Sequence, residues 1–403
     1  MPEPWQVPEP CPSWEQQAEG CQVKLDFGRL FLFFSCKEKE PTIGALITVE
    51  DKPSYQYPIP FAPEKYVCYQ NNIPLNIDGK ADESDWQNAS WTNKFVDIEG
   101  DLKPKPTHDT KVKMLWDKDY FYFYAEMNEP HIWAKLRQRD TIIFYDDDFE
   151  VFIDPDGDSH NYYELEVNAF NTLWDLILLR PYRTDHQHKV LNNWNIPNIK
   201  SAIHIEGTLN NPKDEDQYWA VEMAIPWLAL KEFSNTKEIP KDGDQWRVNF
   251  SRVDWTMNNK NGNYQKAIDP KTSKPYPADN WVWSPTGFIN MHMPEQWGFV
   301  QFSDKIVGVE TIDFIEHSDD KIKWALWNLY FQQVDYKNKN KIYTNNLNKF
   351  TIPDLKNSKC KFQPKIYITP HLFEIVAKSC ERDGFWSIRQ DGKIEFYKNN
   401  TNE

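Results

Sequence analysis

The chain has 403 residues, of which 15% are aromatic, and its formal net charge at pH 7 is −15. This length is enough for two or three domains with a substantial hydrophobic core, so folding does not require disulfides. The acidic balance argues against nucleic acid or an anionic lipid surface as a partner, and no run approaches the roughly 20 apolar residues of a transmembrane segment.

Residues 1–65 form the first segment, which is rich in proline and glutamate and is predicted to be irregular. An apolar run at residues 30–34 ends at Ser35 and Cys36, and charged residues follow. This pattern resembles a bacterial lipoprotein signal of the Bacteroidetes surface-export type, in which the chain is cut before a cysteine that is then acylated. The resemblance implies lipidation at Cys36, a tether after it, and a location at the outer membrane or in the periplasm. The alternative is a buried strand that ends in an ordinary cysteine.

Residues 66–303 contain a succession of short apolar runs separated by polar turns. Apolar and charged residues alternate at residues 162–167 and 219–225, as expected for strands with one buried and one wet face. Two aromatic-rich runs, residues 112–116 and 120–125, are joined by a short polar turn. Helical patterns are scarce. The sequence therefore predicts an all-β domain built as an antiparallel β-sandwich.

The same region carries a series of motifs in a defined order. They are residues 77–86, 89–91, 115–120, 148–158, 222–227, 247–252, 283–285, 292–298 and 300–302. In this order they resemble the blocks of a family 9 carbohydrate-binding module. The resemblance implies a DOMON-like jelly-roll sandwich that binds oligo- or polysaccharides without cleaving them. It also implies the capture of xylan-type or related plant or algal glycans, beside glycan-degrading enzymes or uptake proteins.

A saccharide site combines aromatic rings, which stack on the C–H face of a sugar, with polar side chains that bond its hydroxyls. In the family that this chain resembles, two tryptophan rings clamp the sugar and a glutamate follows the first ring. The matching positions here predict a set of carbohydrate-binding residues. They are Phe144, Tyr145, Glu150, Asn168, Asn280, Trp281 and Trp283.

Some of these assignments have structural alternatives. An arginine of the family pattern falls on Glu166, which leaves Asn168 to bond a sugar hydroxyl. Glu150 could equally be a structural residue of a sheet. Trp281 and Trp283 lie two positions apart, so they share one face of a strand and could equally belong to the core.

Residues 146–164 hold the densest acidic cluster of the sequence. Carboxylates that alternate along a glycine-containing loop are the ligand type that Ca²⁺ requires. The spacing is not that of an EF-hand, but the resemblance supports calcium because family 9 modules bind structural Ca²⁺. The predicted ligands are Asp154, Asp156, Asp158 and Glu164. The alternative is a solvated acidic turn between two strands.

Two other functions fit parts of the sequence. An endo-xylanase-like glycoside hydrolase needs two carboxylates that flank the scissile bond, and Glu150, Glu164 and Glu166 lie on predicted neighbouring strands. No hydrolase motif accompanies them. A haem site at His292 and the methionines beside it is disfavoured, because adjacent side chains point apart whereas axial ligands converge.

Residues 304–403 are predicted to form a small α+β appendage that packs on the sandwich or on a partner. Residues 319–335 are predicted to be a helix with acidic residues at its start. Its apolar stripe consists of Ile322, Ala325, Leu326, Leu329 and Tyr330. Residues 385–397 are predicted to be a hairpin, since Asp391 and Gly392 form a typical hairpin turn.

Overall fold

The structure is a computed structural model, and it describes residues 57–183, 190–355 and 361–399. The chain divides into two units, residues 1–50 and residues 51–403, and every described residue belongs to the second unit. The predicted lipidation site Cys36 lies outside the described residues. None of the helices in the described ranges is long and apolar enough to cross a membrane.

Most strands of the described residues precede residue 307. In chain order they are β1 (Lys65–Gln70), β2 (Val96–Asp97), β3 (Thr110–Trp116), β4 (Tyr120–Asn128), β5 (Asp148–Asp154), β6 (Tyr162–Asn168), β7 (Leu173–Leu178), β8 (Val190–Leu191), β9 (Lys200–Glu206), β10 (Tyr218–Pro226), β11 (Gln245–Asp254), β12 (Met257–Lys260), β13 (Asn263–Lys266), β14 (Asp279–Val282) and β15 (Gly298–Ile306). Two short α-helices lie among them, α1 (Ser84–Asn88) and α2 (Trp227–Leu230). Strands β12 and β13 form a separate hairpin, and the others form one sheet of thirteen strands.

The large sheet has the strand order β8-β7-β6-β5-β11-β15-β1-β3-β4-β10-β9, with β14 paired to β11 and β2 paired to β14. Its pairs are antiparallel except that β1 runs parallel to both β15 and β3. Side chains from distant parts of this order share one core, and the ring of Phe123 on β4 lies 5.5 Å from the ring of Phe250 on β11. The sheet therefore folds over on itself, which confirms the predicted β-sandwich.

Alternate residues of β5 face this core. Phe149 and Val151 are core residues, whereas Asp148 and Glu150 lie on the opposite, outer face. The alternation at residues 162–167 and 219–225 predicted one wet face, and this is wrong for both segments, which lie in β6 and β10, because all of their residues are buried. Every residue of β5 and β7, beside β6, is buried as well. A second apolar cluster covers the outer face. It includes Ile98, Ile143, Val282, Met291 and Trp297.

The C-terminal region contains α3 (Ser318–Asn340) and a sheet of β16 (Lys365–Ile368), β17 (Phe373–Lys378), β18 (Gly384–Arg389) and β19 (Ile394–Lys398). The predicted apolar stripe of the helix is buried against this sheet, and the predicted turn at Asp391 and Gly392 joins β18 to β19. The region packs on the sandwich, since the guanidinium of Arg183 lies 4.8 Å from the ring of Trp327. Strand β15 runs to Ile306, three residues beyond the predicted domain boundary.

Candidate functional site

Four acidic side chains lie together on the outer face of β5 and β6. Asp148 and Glu150 belong to β5, and Glu164 and Glu166 belong to β6. Glu150 is directly opposite Glu166 in the strand pairing, and Ser251 of β11 is opposite Glu150 on the other side. Residues that are directly opposite in a sheet share a face, so all five side chains lie on the same face. We call the four carboxylates the acidic cluster.

The acidic cluster is buried and has few hydrogen-bond donors. Asp148 is fully buried, and oxygen atoms of Asp148, Glu150 and Glu166 all lie within 4.8 Å of one another. The backbone N–H of Phe144 donates to Oε2 of Glu166 at 3.0 Å. Both carboxylate oxygens of Asp148 and Oε2 of Glu164 have no hydrogen-bond partner among the described residues. Buried polar atoms of this kind are rare in proteins and require an explanation.

The carboxyl groups of the acidic cluster disfavour one another's charge. Burial raises the pKa of each of them above its usual range, because the ionised form loses its hydration. The pKa of Glu150 rises to about 7. The charges of Asp148 and Glu150 raise the pKa of Glu166 further. The cluster therefore requires either bound protons or a cation to offset its charge.

Aromatic side chains border the acidic cluster at the surface. Phe144 and Tyr145 are 37% and 53% exposed. The indole N–H of Trp255, which is partly buried, donates to the backbone oxygen of Phe144 at 2.9 Å. Tyr182 is 48% exposed, and burial and the charges of Glu164 and Glu166 raise its pKa. We call Phe144, Tyr145, Trp255 and Tyr182 the aromatic rim.

Trp174 lies beside the acidic cluster. It is on β7, directly opposite Glu166, and 9% of it is exposed. Its Nε1 atom has no hydrogen-bond partner among the described residues, and the same holds for the Ser251 hydroxyl. The site therefore has hydrogen-bonding groups without partners and, beside them, exposed aromatic rings. A ligand that carries both polar groups and an apolar face needs both features.

Glu150, a predicted carbohydrate-binding residue, lies in the acidic cluster opposite Glu166, but Asn168 has another role. Its side-chain amide donates to the backbone oxygen of Leu136 at 2.8 Å and to Oδ2 of Asp146 at 3.0 Å. Its side-chain oxygen accepts the backbone N–H groups of Phe170 and Thr172. All four of its hydrogen-bonding positions are used to hold neighbouring loops, so none remains for a sugar hydroxyl.

Trp281 and Trp283 were predicted as the second ring of the clamp, but the structure places both in the core. They are 3% and 1% exposed and share one face, as their spacing predicted. The pairing of β14 with β11 decides which face this is, because Val282 lies opposite Ser251 and thus takes the outer face. Asn280 is partly buried, and its backbone oxygen accepts the N–H of Ile98. The exposed rings of the site are those of the aromatic rim instead.

The predicted calcium ligands are divided between two places. Asp154, Asp156 and Asp158 bring carboxylate oxygens within 4.8 Å of one another, which fits a cation by distance and by donor type. Lys393 from the C-terminal region already lies there, with its Nζ 3.3 Å from Oδ2 of Asp158. Glu164 does not join this loop, because it lies in the acidic cluster.

A third convergence of acidic side chains was not predicted from the sequence. Arg252 is 1% exposed, and its Nη2 pairs with Glu129 and lies 2.7 Å from Oδ2 of Asp254. His108 lies 3.5 Å from the same oxygen of Asp254. The guanidinium offsets the negative charge of this group, which identifies it as an internal ion-pair network.

Trp174, Tyr182, Ser251 and Trp255 were also not predicted as site residues. The period-2 pattern of β11 shows which of its own residues share a face with Ser251. It does not show that Ser251 shares a face with Glu150, because that depends on the pairing of β5 with β11. Trp174 lies in a strand that is apolar except for Asp175, so its sequence context is that of a core residue. These signals depend on strand neighbours, which are distant in the chain.

A family model described as "Carbohydrate family 9 binding domain-like" matches residues 77–301, which is more than half of the chain. The chain belongs to this family. The match contains β2 to β14 and begins at the first residue of the first motif of the predicted resemblance. We call the loop that holds Asp154, Asp156 and Asp158 the aspartate loop. It therefore includes the acidic cluster, the aromatic rim and the aspartate loop, whereas α3 and the C-terminal sheet lie beyond it.

Solved structures similar to this family member include a family 9 module of Caldicellulosiruptor kristjanssonii, determined with cellotriose and with glucose. The cellotriose complex is 16% identical and covers 62% of this chain and 100% of its own, with a TM-score of 0.37. The glucose complex is 15% identical and covers 61% and 100%, with a TM-score of 0.37. A Bacteroides uniformis ATCC 8492 protein that is proposed to bind carbohydrate is 16% identical and covers 60% and 100%, with a TM-score of 0.44. Among curated proteins, no significant match is found.

Proposed function

We propose that the protein is a non-catalytic saccharide-binding protein and that the sugar binds at the aromatic rim above the acidic cluster. Membership of the carbohydrate family 9 binding domain-like family supports binding of a carbohydrate. The observation that supports this position for the site is the presence of exposed rings beside buried polar atoms without partners among the described residues, notably Nε1 of Trp174 and Oε2 of Glu164. In this proposal a sugar ring stacks on Tyr145 or Trp255, and its hydroxyls complete the hydrogen bonding beneath.

The ligand can be identified with a glycan array followed by calorimetric titration of the best-bound saccharide. Removing one stacking ring, in Tyr145→Ala or Trp255→Ala, is expected to weaken binding tenfold to a hundredfold, which corresponds to about 1–3 kcal/mol. The matched control is Tyr367→Ala, because Tyr367 is similarly exposed, at 55%, but lies on β16 of the C-terminal sheet. Undiminished affinity in both rim variants would place the saccharide elsewhere.

In its finer form, the proposal is that the protein captures a xylan-type or related plant or algal glycan outside the cytoplasm, beside degrading enzymes or uptake proteins. The lipoprotein-like sequence that ends at Cys36 supports this location. Cys380 is disulfide-bonded, and structural disulfides persist in oxidising compartments. In a Gram-negative host, the wild-type protein should partition into detergent and Cys36→Ala should not; equal partitioning would contradict lipidation.

Glycoside hydrolysis is the second candidate function, and one observation favours it. A general acid must hold a proton near neutral pH, and burial raises the pKa of Glu150 to about 7. Glu166 is opposite it and could act as the second carboxylate. A reducing-sugar assay on xylans and glucans distinguishes the two functions. Steady product release that Glu150→Gln abolishes would establish hydrolysis, whereas binding without release supports the first proposal.

A further inference from the structure

Three groups of acidic side chains, one of which includes His108, converge closely enough in the described residues to share a cation, and a basic side chain already lies at two of them. Arg252 lies in the group formed with Glu129 and Asp254, and Lys393 lies beside Asp158 in the aspartate loop. In the acidic cluster, the charged groups that act on Asp148 and Glu166 are other carboxylates. Of the three groups, the acidic cluster is therefore the one in which no basic side chain of the described residues offsets the negative charge.

The burial of the acidic cluster makes this lack of an opposite charge significant. Asp148 is 0% exposed, and neither of its carboxylate oxygens has a hydrogen-bond partner among the described residues. The hydroxyl of Ser251, also 0% exposed, lies on the same face opposite Glu150 and has no partner in the described ranges either. Since an isolated buried charge is strongly unfavourable, and the described residues supply no hydrogen-bond donor to the oxygens of Asp148, this carboxylate needs either a bound proton or a cation.

We propose that the acidic cluster binds one divalent cation, with Asp148, Glu150 and Glu166 as its carboxylate ligands. Ca²⁺ binds oxygen at about 2.3–2.6 Å, so two oxygens on one ion lie no more than about 5 Å apart. The three carboxylates meet this limit, because their oxygens lie within 4.8 Å of one another. A donor set made only of oxygen selects a hard ion such as Ca²⁺, Mg²⁺ or Mn²⁺ rather than zinc or copper.

The wider surroundings are consistent with an ion that is buried under the saccharide site. Ser251 offers a neutral oxygen from β11, and Glu164 adds a fourth carboxylate from β6. All of these donors come from three adjacent strands of the sandwich, which fix their positions more firmly than a loop would. The ion does not depend on the proposed saccharide function, because it is held by protein oxygens alone and binds in the absence of sugar.

The test uses the full chain, freed of metal with a chelator and titrated without sugar at pH 7.5 with CaCl₂, MgCl₂ or MnCl₂. Calorimetry should show binding of at least one of these ions, and the melting temperature should rise by several degrees at saturating metal, since the ion binds only the native state. Glu166→Gln and Asp148→Asn keep the side-chain shapes but remove a ligand charge. They should lose one bound ion, while their metal-free melting temperatures equal or exceed that of the wild-type protein.

Asp156→Asn is the matched control, because it removes a carboxylate from the aspartate loop and leaves the acidic cluster intact. It should retain the ion that Glu166→Gln loses. Unchanged metal binding in both cluster variants would overturn the proposal, as would the absence of binding by any of the three ions, which would mean that protons alone neutralise the cluster. A saccharide titration on the same samples is a separate readout, so failure to bind sugar and failure to bind metal are distinguishable.

Discussion

The indole N–H of Trp86 donates to Oε1 of Glu222 at 2.9 Å, across 136 positions of the chain. The backbone N–H groups of Asp78 and Gly79 donate to Oε2 of the same glutamate, each at 2.9 Å. Both Trp86 and Glu222 are fully buried. The first and a later motif of the family pattern are therefore held together by one carboxylate.

This contact predicts that Glu222→Gln destabilises the protein. A glutamine has one acceptor oxygen, so its NH₂ group faces one of the three donors, and the hydrogen bonds lost to a charged acceptor cost about 1.5–3 kcal/mol. The free energy of unfolding in urea measures the loss. The control is Glu232→Gln at an exposed position, which should change stability by less than about 0.5 kcal/mol. Equal urea midpoints for Glu222→Gln and wild type would show that the carboxylate is not needed.

Trp281 and Trp283 are predicted to determine stability rather than affinity. A Cβ atom on Gly298 would lie only 2.4 Å from the ring of Trp283, so the ring is packed tightly against that backbone. Trp283→Ala and Trp281→Ala should each lose about 3–5 kcal/mol of unfolding free energy. Thermal melting and saccharide titration together check this. If a variant keeps its melting temperature but no longer binds the sugar, the substituted tryptophan belongs to the binding site.

His292 is predicted to make the protein less stable in acid. Its Nδ1 lies 2.9 Å from the hydroxyl of Tyr162, and its ring lies against Phe152 and Tyr182. Burial, together with the positive charge of Arg183, lowers the pKa of His292 from 6.5 to about 3. Between these values the unfolded chain binds a proton that the folded protein does not, so stability is complete above pH 6.5 and declines as the pH falls towards 3.

The measurement is the unfolding free energy of wild type and His292→Gln between pH 7 and pH 4. The carboxylates near this site also titrate, so only the difference between the two proteins reports the histidine. Wild type should lose more stability, with an extra slope of at most about 1.4 kcal/mol per pH unit. Parallel curves would mean that His292 is protonated equally in both states.

The sequence was informative wherever structure depends on neighbours along the chain. The alternation in β6 and β10, the stripe of α3 and the turn at Asp391 are local patterns, and each is present in the structure. The spacing of Trp281 and Trp283 also predicted correctly that they share a face. It could not predict which face, because this is fixed by the pairing of Val282 with Ser251, about thirty positions away.

The covered outer face of the sandwich was missed for a related reason. Glu164 and Glu166 alternate with apolar residues in β6, so the pattern predicted a wet face for them. In the structure, Ile143 and Trp297 reach over this face from loops that are far apart in the chain. Periodicity within one strand contains no information about such coverage. The four carboxylates are a candidate site because they are buried, and the strand pattern does not predict that burial.

The last prediction concerns Lys393 and the aspartate loop. Burial raises the pKa of Asp158 to about 6, and the ammonium group of Lys393 opposes this rise. If the loop binds Ca²⁺, as the family resemblance implies, the ion must compete with this ammonium group for Asp158. Lys393→Met should therefore lower the free energy of unfolding in EDTA by about 1 kcal/mol, the upper end of the range for exposed ion pairs, because this pair is largely buried, and it should lower the melting temperature accordingly. Added Ca²⁺ should then raise the melting temperature of the variant more than that of its parent.

This experiment is best done in a Glu166→Gln background, so that a cation in the acidic cluster does not contribute to the calcium effect. The matched control is Lys378→Met, because Lys378 is an exposed lysine at the end of β17. Calcium should affect this control and its parent equally.

If calcium also shifts the melting temperature of Lys393→Met by the same amount as that of its parent, the loop does not bind the ion. Its three aspartates then act through the backbone N–H groups of Gly157, Asp158, Ser159 and His160, which they already accept. The ammonium of Lys393 would in that case be the permanent counter-charge that holds the C-terminal sheet against the sandwich.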